Sequence, residues 1–274
     1  MKRAELEAIL DVARRAADEA AALVRAGFRK HPKVEHKGAV DLVTSYDRDS
    51  ETLLRERLAP LGIPIVGEEQ GGTCPTEGPA LFIDPLDGTT NFVHGHPFWC
   101  VSIGLVARGC DPILGVVVAP PLRLSFWGWV ADDGTREAVR LSDGTPEACT
   151  VSASGSSESA LLATGFPYDR RTSPDNNFNA FVAIKQRCQA VRRCGSAALD
   201  LCLVADGTYD GYWERKLKAW DISGGTAIVR AAGGRVSDFD GGSTYVASGH
   251  VVATNGIVHD ELLEELARID TPRQ

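Results

Sequence analysis

The segment 84–92, Asp-Pro-Leu-Asp-Gly-Thr-Thr-Asn-Phe, holds the densest set of chemically useful side chains in this sequence. It follows the apolar run 80–83, whose length and flanking Gly and Pro are typical of a buried strand. Asp84 and Asp87 therefore stand together at the end of that strand. Pro85 has no N–H and is expected to end the strand ladder. Two carboxylates at one rim of a sheet are suitable ligands for a hard cation.

The next residues of this segment are suited to binding phosphate. Gly88 allows the backbone to turn sharply, and Thr89 is a good N-cap residue, so a helix is expected to begin here. The N–H groups at a helix start are free to bind an anion. Taken alone, however, this composition is also that of an ordinary β-turn.

Two other acidic clusters favour a metal site over a simple turn. Glu68 and Glu69 follow the apolar run 63–67, which is predicted to be another buried strand. Asp221 stands just before 222–229, where a helix start is expected. Three clusters of carboxylates at strand ends or helix starts, far apart in the chain, are difficult to explain as surface decoration.

These blocks resemble the three signatures of the inositol monophosphatase family. The matching stretches are Gly67-Glu68-Glu69, the segment 84–92, and 220–225 with the sequence Trp-Asp-Ile-Ser-Gly-Gly. Members of the family are magnesium-dependent, lithium-sensitive phosphomonoesterases. The resemblance covers nearly the whole chain and implies an α/β (α+β) fold, the layered α/β/α/β/α sandwich of the inositol monophosphatase and fructose-1,6-bisphosphatase type.

The resemblance implies a set of Mg²⁺ ligands. Glu68, Asp84 and the backbone carbonyl of Leu86 would hold a first ion. Asp84 would bridge to a second ion, which Asp87 and Asp221 would also hold. Two or three Mg²⁺ ions per active site are expected, and two ions around a phosphate stabilise the attacking and leaving oxygens of a displacement.

The resemblance also assigns the groups that act on water and phosphate. Glu68 and Thr89 would orient the attacking water and accept its proton. The N–H groups of Gly88 and Thr89 would meet the phosphate, which Lys37 would also approach. Lys37 and Asp47 would support a third, weaker ion and its waters, and Asp47 is counted with the catalytic residues.

The leaving alcohol is expected to contact the second half of the chain. Ser196 is also an ordinary N-cap residue, and the two roles are compatible. The basic run 215–218 departs from the more neutral stretch expected there, which leaves room for a substrate with extra negative charge. The substrate-binding residues implied by the resemblance are Asp87, Gly195, Ser196, Ala197, Glu214 and Asp221.

The elements that must position these residues follow from periodicity and from turn residues. A hairpin or ordered loop is expected over 34–43. Two subdomains are expected to share a cleft: 1–145, an α+β unit that binds metal and phosphate, and 146–274, an α/β unit that contributes substrate contacts and one metal ligand. Helices are predicted over 4–28, 45–58, 175–186, 196–205, 226–232 and 259–269, and strands over 99–106, 113–118, 124–130 and 208–213.

Composition narrows the class of protein. The 274 residues carry a formal net charge of −8, which argues against nucleic-acid and anionic-membrane binding. Seven cysteines without a CxxC pair indicate reduced thiols. No apolar run is long enough to span a membrane and no signal peptide is recognised, so a cytoplasmic protein is predicted. The family resemblance implies that it is an enzyme and a homodimer.

Several functions remain open at this point. The first is Mg²⁺-dependent hydrolysis of a sugar or polyol phosphate, with myo-inositol 1-phosphate as the preferred substrate. Histidinol phosphate, fructose 1,6-bisphosphate, NADP and 3′-phosphoadenosine 5′-phosphate are alternatives, because relatives hydrolyse them. A function of another class is association with bacterial transcription machinery, for which the sequence carries no positive sign.

Overall fold

The chain forms a two-stranded antiparallel sheet, a largely antiparallel seven-stranded sheet and a five-stranded mixed sheet in this computed structural model, which describes residues 1–36, 42–75 and 77–270. A short antiparallel pair comes first, formed by β1 (Val34–His36) and β2 (Leu42–Thr44). The largest sheet has the order β3 (Ile65–Gly67), β4 (Ala80–Asp87), β5 (Cys100–Ala107), β6 (Asp111–Ala119), β7 (Leu124–Val130), β8 (Arg136–Ser142) and β9 (Thr145–Ala148). It is antiparallel except that β3 runs parallel to β4.

The mixed sheet belongs to the second half of the chain. Its order is β11 (Ala190–Arg192), β10 (Leu161–Thr164), β12 (Gly211–Glu214), β14 (Val251–Thr254) and β13 (Arg235–Ser237). The helices are α1 (Arg3–Gly27), α2 (Ser45–Leu58), α3 (Thr89–Val93), α4 (Phe178–Lys185), α5 (Ala197–Ala205), α6 (Ala219–Ala231), α7 (Tyr245–Ser248) and α8 (His259–Asp270).

The packing of these elements gives five layers. Helices α1 and α2 cover one face of the large sheet, and α5 and α6 lie between that sheet and the mixed sheet. Helices α4 and α8 cover the outer face of the mixed sheet. The predicted α/β/α/β/α sandwich is therefore confirmed.

Local sequence explains most of these elements. In α1 the buried side chains, from Leu6 to Val24, follow the spacing of one helical face. Helix α2 begins where Thr44 acts as N-cap and Asp47 accepts a 2.8 Å hydrogen bond from the Thr44 N–H, a reciprocal cap. Helix α5 begins at the Ser196 cap, as predicted.

Close approach between glycines brings α6 onto the large sheet. A Cβ placed on Gly115 of β6 would lie 2.0 Å from the Gly224 carbonyl oxygen, and one on Gly104 of β5 would lie 2.5 Å from the Gly224 nitrogen. No larger residue fits at either strand position without displacing the helix backbone. This contact sets the position of the first turn of α6, where Asp221 lies.

Two predictions about element bounds were wrong. Strand β4 does not end at Pro85 but continues to Asp87, because a register shift between Asp84 and Asp87 accommodates the missing N–H and pairing resumes at Cys100. Helix α6 begins at Ala219, seven residues before the predicted 226. The glycines at 224 and 225 lie inside it, where packing against the sheet outweighs their low helix propensity.

The proposed division at residue 145 stays a prediction. Helix α6, from the second segment, packs against β5, β6 and β7 of the first, so the two segments share a hydrophobic core. Of the segment 34–43, the structure shows β1 paired with β2, while Lys37 lies outside the described residues. Among the described helices, none is long and apolar enough to cross a membrane.

Candidate active site

The end of β4 holds a buried carboxylate in a fixed orientation. Asp84 is only 2% exposed, and its Oδ1 accepts a 3.0 Å hydrogen bond from the Leu86 N–H. The Pro85 carbonyl accepts a 3.0 Å hydrogen bond from the Ser50 hydroxyl of α2. The bulged strand end is therefore held both by its own side chain and by the neighbouring helix.

Glu68 is brought beside Asp84 by strand pairing. Strand β3 runs parallel to β4 with Gly67 opposite Ile83, so the residue that follows each of them leaves the sheet at the same rim. The buried Glu51 carboxylate accepts hydrogen bonds from the N–H groups of Glu69, at 2.6 Å, and of Gln70, at 3.0 Å. Glu51 thus fixes the turn after Glu68, a supporting role that the sequence did not indicate.

Asp87 connects the two halves of the chain. Its Oδ2 accepts hydrogen bonds from the Ser196 hydroxyl at 2.7 Å and from the Ala198 N–H at 2.8 Å, both at the start of α5. Asp221 is oriented locally, because its Oδ2 accepts a 2.7 Å hydrogen bond from the Lys218 N–H at the start of α6.

Four carboxylates act on one another at this rim. Burial raises the pKa of Asp84 well above its usual range, and the charges of Glu68, Asp87 and Asp221 raise it further. Burial, then Asp87 and Glu68, have the same effect on the pKa of Asp221. Burial raises the pKa of Asp87 to about 6, against the hydrogen bonds from Ser196 and the α5 backbone. Such mutual repulsion is what a divalent cation relieves.

The chemistry of this donor set fits Mg²⁺. Within the described residues, no group of three or more His, Cys, Asp or Glu side chains is already arranged to hold a metal ion. Mg²⁺ does not require such a cage, because it keeps several waters and binds through one or two carboxylates together with substrate phosphate. The carboxylates would therefore serve as partial ligands that substrate and water complete.

Thr89 and Asp47 form a second connected group. The Thr89 hydroxyl lies 2.9 Å from Asp47 Oδ1 and 3.1 Å from the Leu86 carbonyl oxygen. Asp47 also accepts a 2.6 Å hydrogen bond from the Thr44 hydroxyl. Burial raises the pKa of Asp47 despite these bonds. The predicted catalytic hydroxyl is thus held between a carboxylate and the predicted carbonyl ligand.

Gly88 makes the turn between strand and helix. Its φ of +95° lies in the left-handed region, and a Cβ there would lie 3.0 Å from the Phe98 carbonyl oxygen. A side chain at this position would be strained and would press on the adjacent loop. The N–H groups of Gly88 and Thr89 are consequently presented beside Asp87.

Glu214 lies at the other end of the site. It is 8% exposed at the end of β12 and accepts a hydrogen bond from the Tyr212 hydroxyl. Burial raises its pKa to about 7. Gly165 packs against the carboxylate so closely that a Cβ there would lie 2.0 Å from Glu214 Oε2. The acid is therefore fixed in place by its neighbours.

A cleft of about 570 Å³ gathers many of the predicted residues. Glu68, Asp84, Leu86 and Asp47 are not in its lining, but Leu86 and Asp47 are joined to it through the Thr89 hydroxyl. The predicted residues that do line it are Asp87, Gly88, Thr89, Gly195, Ser196, Ala197, Glu214 and Asp221.

Other residues of the cleft wall were not predicted from the sequence. Arg170 and Arg193 add positive charge to it, and Asp200 adds a buried carboxylate. A spacing signal existed for Asp200, because it stands four residues after Ser196 and so lies on the same face of α5. No such signal marked the arginines, which reach the cleft through the tertiary fold.

Comparison with known proteins identifies the family. The model of the inositol monophosphatase family matches residues 5–271. The chain belongs to the inositol monophosphatase family. An inositol-1-monophosphatase from Synechocystis sp. is 40% identical over 268 residues, which cover 96% of this chain and 90% of that protein. The chain is accordingly a phosphatase, and the resemblance predicted from the three motifs is confirmed.

Two further relatives differ in the role that their names state. The inositol monophosphatase structure from Anabaena (Nostoc) sp. has a TM-score of 0.84 and 37% identity, and the match covers 96% of each chain. A protein named Nus factor SuhB from Pasteurella multocida is 36% identical over 266 residues, which cover 94% of this chain and 95% of that protein. The Anabaena protein is thus named as an inositol monophosphatase, whereas the Pasteurella protein is named as a Nus factor.

Proposed function

We propose that this phosphatase hydrolyses myo-inositol 1-phosphate to myo-inositol and phosphate with Mg²⁺ in its active site. The observation that carries the proposal is the position of Asp87, whose carboxylate belongs to the repelling acidic cluster and is also hydrogen-bonded to the start of α5. A metal site and a wall for the alcohol are thereby joined through one side chain.

Glu68, Asp84, the Leu86 carbonyl, Asp87 and Asp221 are the proposed Mg²⁺ ligands, for two or three ions. When bound, Mg²⁺ supplies positive charge to the phosphate oxygens and acidifies water. Its charge would also lower the raised pKa values of Asp84, Asp87 and Asp221, so that these acids are ionised at neutral pH.

The protein's own groups handle water, phosphate and proton. Thr89, held by Asp47, orients a water for attack on phosphorus, and Glu68 accepts its proton. The N–H groups of Gly88 and Thr89 donate to phosphate oxygens, and Lys37 is proposed to assist them. The bond from phosphorus to the ester oxygen breaks, and the leaving alkoxide takes a proton from a second water, whose hydroxide is neutralised by the proton that Glu68 accepted.

The alcohol is proposed to lie against the second half of the chain. The Gly195, Ser196 and Ala197 start of α5, together with Glu214, faces the same cleft as Asp87 and Asp221. A fixed, buried carboxylate such as Glu214 is an acceptor for polyol hydroxyls. This arrangement favours a polyol monophosphate over histidinol phosphate, fructose 1,6-bisphosphate, NADP and 3′-phosphoadenosine 5′-phosphate.

A panel of these esters, assayed for released phosphate with Mg²⁺ and again with EDTA, tests the proposal. We expect the highest kcat/KM with myo-inositol 1-phosphate and no phosphate release in EDTA. A higher kcat/KM with another ester would show that this ester, and not myo-inositol 1-phosphate, is the preferred substrate. Undiminished phosphate release in EDTA would show that hydrolysis does not need the metal.

A second function rests on the relatives named Nus factor SuhB. Association with transcription proteins would require a binding surface outside the cleft. Formation of a homodimer would cover part of the protein surface and so limit where such a partner can bind. Direct binding to nucleic acid is not expected for a chain of net charge −8. Pull-down of purified RNA polymerase by the protein would test the association. Sedimentation of the protein alone would test whether it forms a homodimer.

A further inference from the structure

Asp200 is a buried carboxylate on the cleft wall to which no role has been given. It lies on α5, is 2% exposed and lines the cleft that contains Glu214. Its Oδ1 has no hydrogen-bond partner among the described residues. Buried polar atoms in proteins are nearly always paired, so an unpaired oxygen at a cleft wall indicates a missing ligand.

The surroundings of Asp200 show which kind of ligand would fit. Burial, followed by the charges of Glu214 and Asp87, raises its pKa well above the usual range. Asp200 therefore lies within electrostatic range of Glu214, which is proposed to contact the alcohol, and of Asp87, which is proposed to bind metal. Arg193, in the same wall, acts on it with positive charge. A negatively charged group would be repelled by Asp200, Glu214 and Asp87, whereas a neutral hydroxyl can donate a hydrogen bond to Oδ1.

Asp206, at the other end of the same helix, is a natural comparison. Its side chain is 5% exposed and its Oδ2 also lacks a hydrogen-bond partner in the described part of the chain. That oxygen, however, lies 3.6 Å from Arg140 Nε, and Oδ1 accepts a 3.0 Å hydrogen bond from the Thr208 N–H. Asp206 does not line the cleft. The nearby Arg140 therefore accounts for the buried Asp206 oxygen, whereas no protein contact accounts for Asp200 Oδ1 in the described residues.

We propose that Asp200 is a specificity-determining residue that hydrogen-bonds a hydroxyl of the substrate's alcohol group through Oδ1. With Glu214 it presents two polar acceptors on one wall, which selects a neutral polyol with at least two free hydroxyls. The inference rests on the proposed function and deepens it by adding a residue to the alcohol wall.

Asp200→Leu tests the proposal, with Asp206→Leu as the matched control. We expect Asp200→Leu to raise KM for myo-inositol 1-phosphate by about ten-fold, so that kcat/KM relative to phenyl phosphate, whose alcohol part has no free hydroxyl, falls by about the same factor. Because the variant removes an unpaired buried polar group, its thermal unfolding temperature should stay equal or rise. Asp206→Leu should unfold at a lower temperature and keep the wild-type ratio of kcat/KM.

The opposite pattern overturns the proposal. An unchanged ratio in Asp200→Leu would mean that Oδ1 meets only water. Equal losses of ratio in both variants would mean that helix α5 is disturbed as a whole. If no ester is hydrolysed by the wild-type enzyme, the proposed function itself fails.

A measurement on the wild-type protein covers the case in which Asp200→Leu does not fold. Crystals soaked with the products, myo-inositol and phosphate, need no turnover. We expect a hydroxyl of the alcohol within hydrogen-bond distance of Asp200 Oδ1. An alcohol bound to Glu214 with only water at Asp200 would exclude Asp200 from recognition.

Discussion

The candidate site has a metal end, with Glu68, Asp84 and Asp221, and an alcohol end, with Glu214 and the start of α5. Different kinds of hydrogen bond hold these two ends. At the metal end, Asp84 and Asp221 are oriented by N–H groups two and three residues away in the chain. At the alcohol end, Asp87 is held by Ser196, which is 109 residues away. Asp84 and Asp221 are each oriented by a local hydrogen bond within their own half of the chain. The hydrogen bond between Asp87 and Ser196, by contrast, forms only when the two halves are packed together.

This difference separates chemistry from selectivity. Acids at the metal end raise one another's pKa, and the proposed cation would relieve this repulsion whatever alcohol is attached to the phosphate. At the alcohol end, Glu214 and Asp200 are not among the proposed metal ligands. Substitutions at the metal end should therefore affect all substrates, and those of Glu214 or Asp200 should affect the substrates with the largest number of hydroxyls most.

Asp84→Asn is expected to have the largest effect. It removes charge from both proposed ions at once and should lower kcat by several orders of magnitude on every ester. Without metal, the change relieves repulsion with Glu68, Asp87 and Asp221, so the thermal unfolding temperature in EDTA should stay equal or rise. Steady-state kinetics at saturating Mg²⁺ and thermal unfolding give the two readings. Turnover near that of the wild type would contradict the assignment of two metals.

Glu214→Gln should affect selectivity at the alcohol end. A hydrogen bond to a charged group contributes about 1.5–3 kcal/mol, and the amide replaces it only in part. We expect kcat/KM for myo-inositol 1-phosphate to fall by about ten-fold to a hundred-fold, with a much smaller loss for glycerol 2-phosphate. Comparing the two esters checks this, and equal losses on both would place Glu214 at the metal end.

The same substitution should change the pH dependence of stability. Burial raises the pKa of Glu214 to about 7 from its ordinary 4.5, so the folded wild type gains stability that is complete below pH 4.5 and lost as pH rises through 7. Glu214→Gln removes this loss and should be more stable than wild type at pH 8.5 by up to about 3 kcal/mol. Urea unfolding at pH 5 and 8.5 is the measurement.

A matched control for this comparison is Glu264→Gln, since that side chain is 69% exposed on α8. It should show no such difference between the two pH values. A Glu214→Gln variant that is no more stable than wild type at the higher pH would show that the buried acid is not strained by its charge.

Lithium should act at the metal end alone, which can be tested on the unsubstituted protein. The resemblance of Asp84, Asp87 and Asp221 to the family motifs predicts a lithium-sensitive second metal site, so millimolar LiCl is expected to inhibit uncompetitively with respect to substrate. The inhibition should be the same for myo-inositol 1-phosphate and glycerol 2-phosphate. Titration of LiCl against phosphate release is the test, and full activity at high LiCl would show that the second metal site differs.

Local signals explain how much could be predicted. The strand end at 67, the Thr44 and Ser196 caps and the apolar face of α1 depend on neighbours in sequence, and the structure shows each of them. The bulge after Asp84 and the early start of α6 depend on pairing with Cys100 and on packing against Gly104 and Gly115. Such tertiary contacts leave no local pattern.

The same reasoning applies to the candidate site. Residues in the three motifs could be predicted because their identity and spacing carry the resemblance. Glu51, Arg193 and Asp200 could not, because each acts through contacts that the fold creates between distant segments. The assigned roles of the motif residues stay predictions until metal and substrate are bound.

Anomalous diffraction from crystals soaked with Mn²⁺ as a substitute for Mg²⁺ tests the central claim most directly. We predict at least two peaks at the end of β4, one beside Glu68 and Asp84 and one beside Asp87 and Asp221. No peak among these four carboxylates, in crystals of protein that hydrolyses phosphate monoesters with Mn²⁺, would contradict the account.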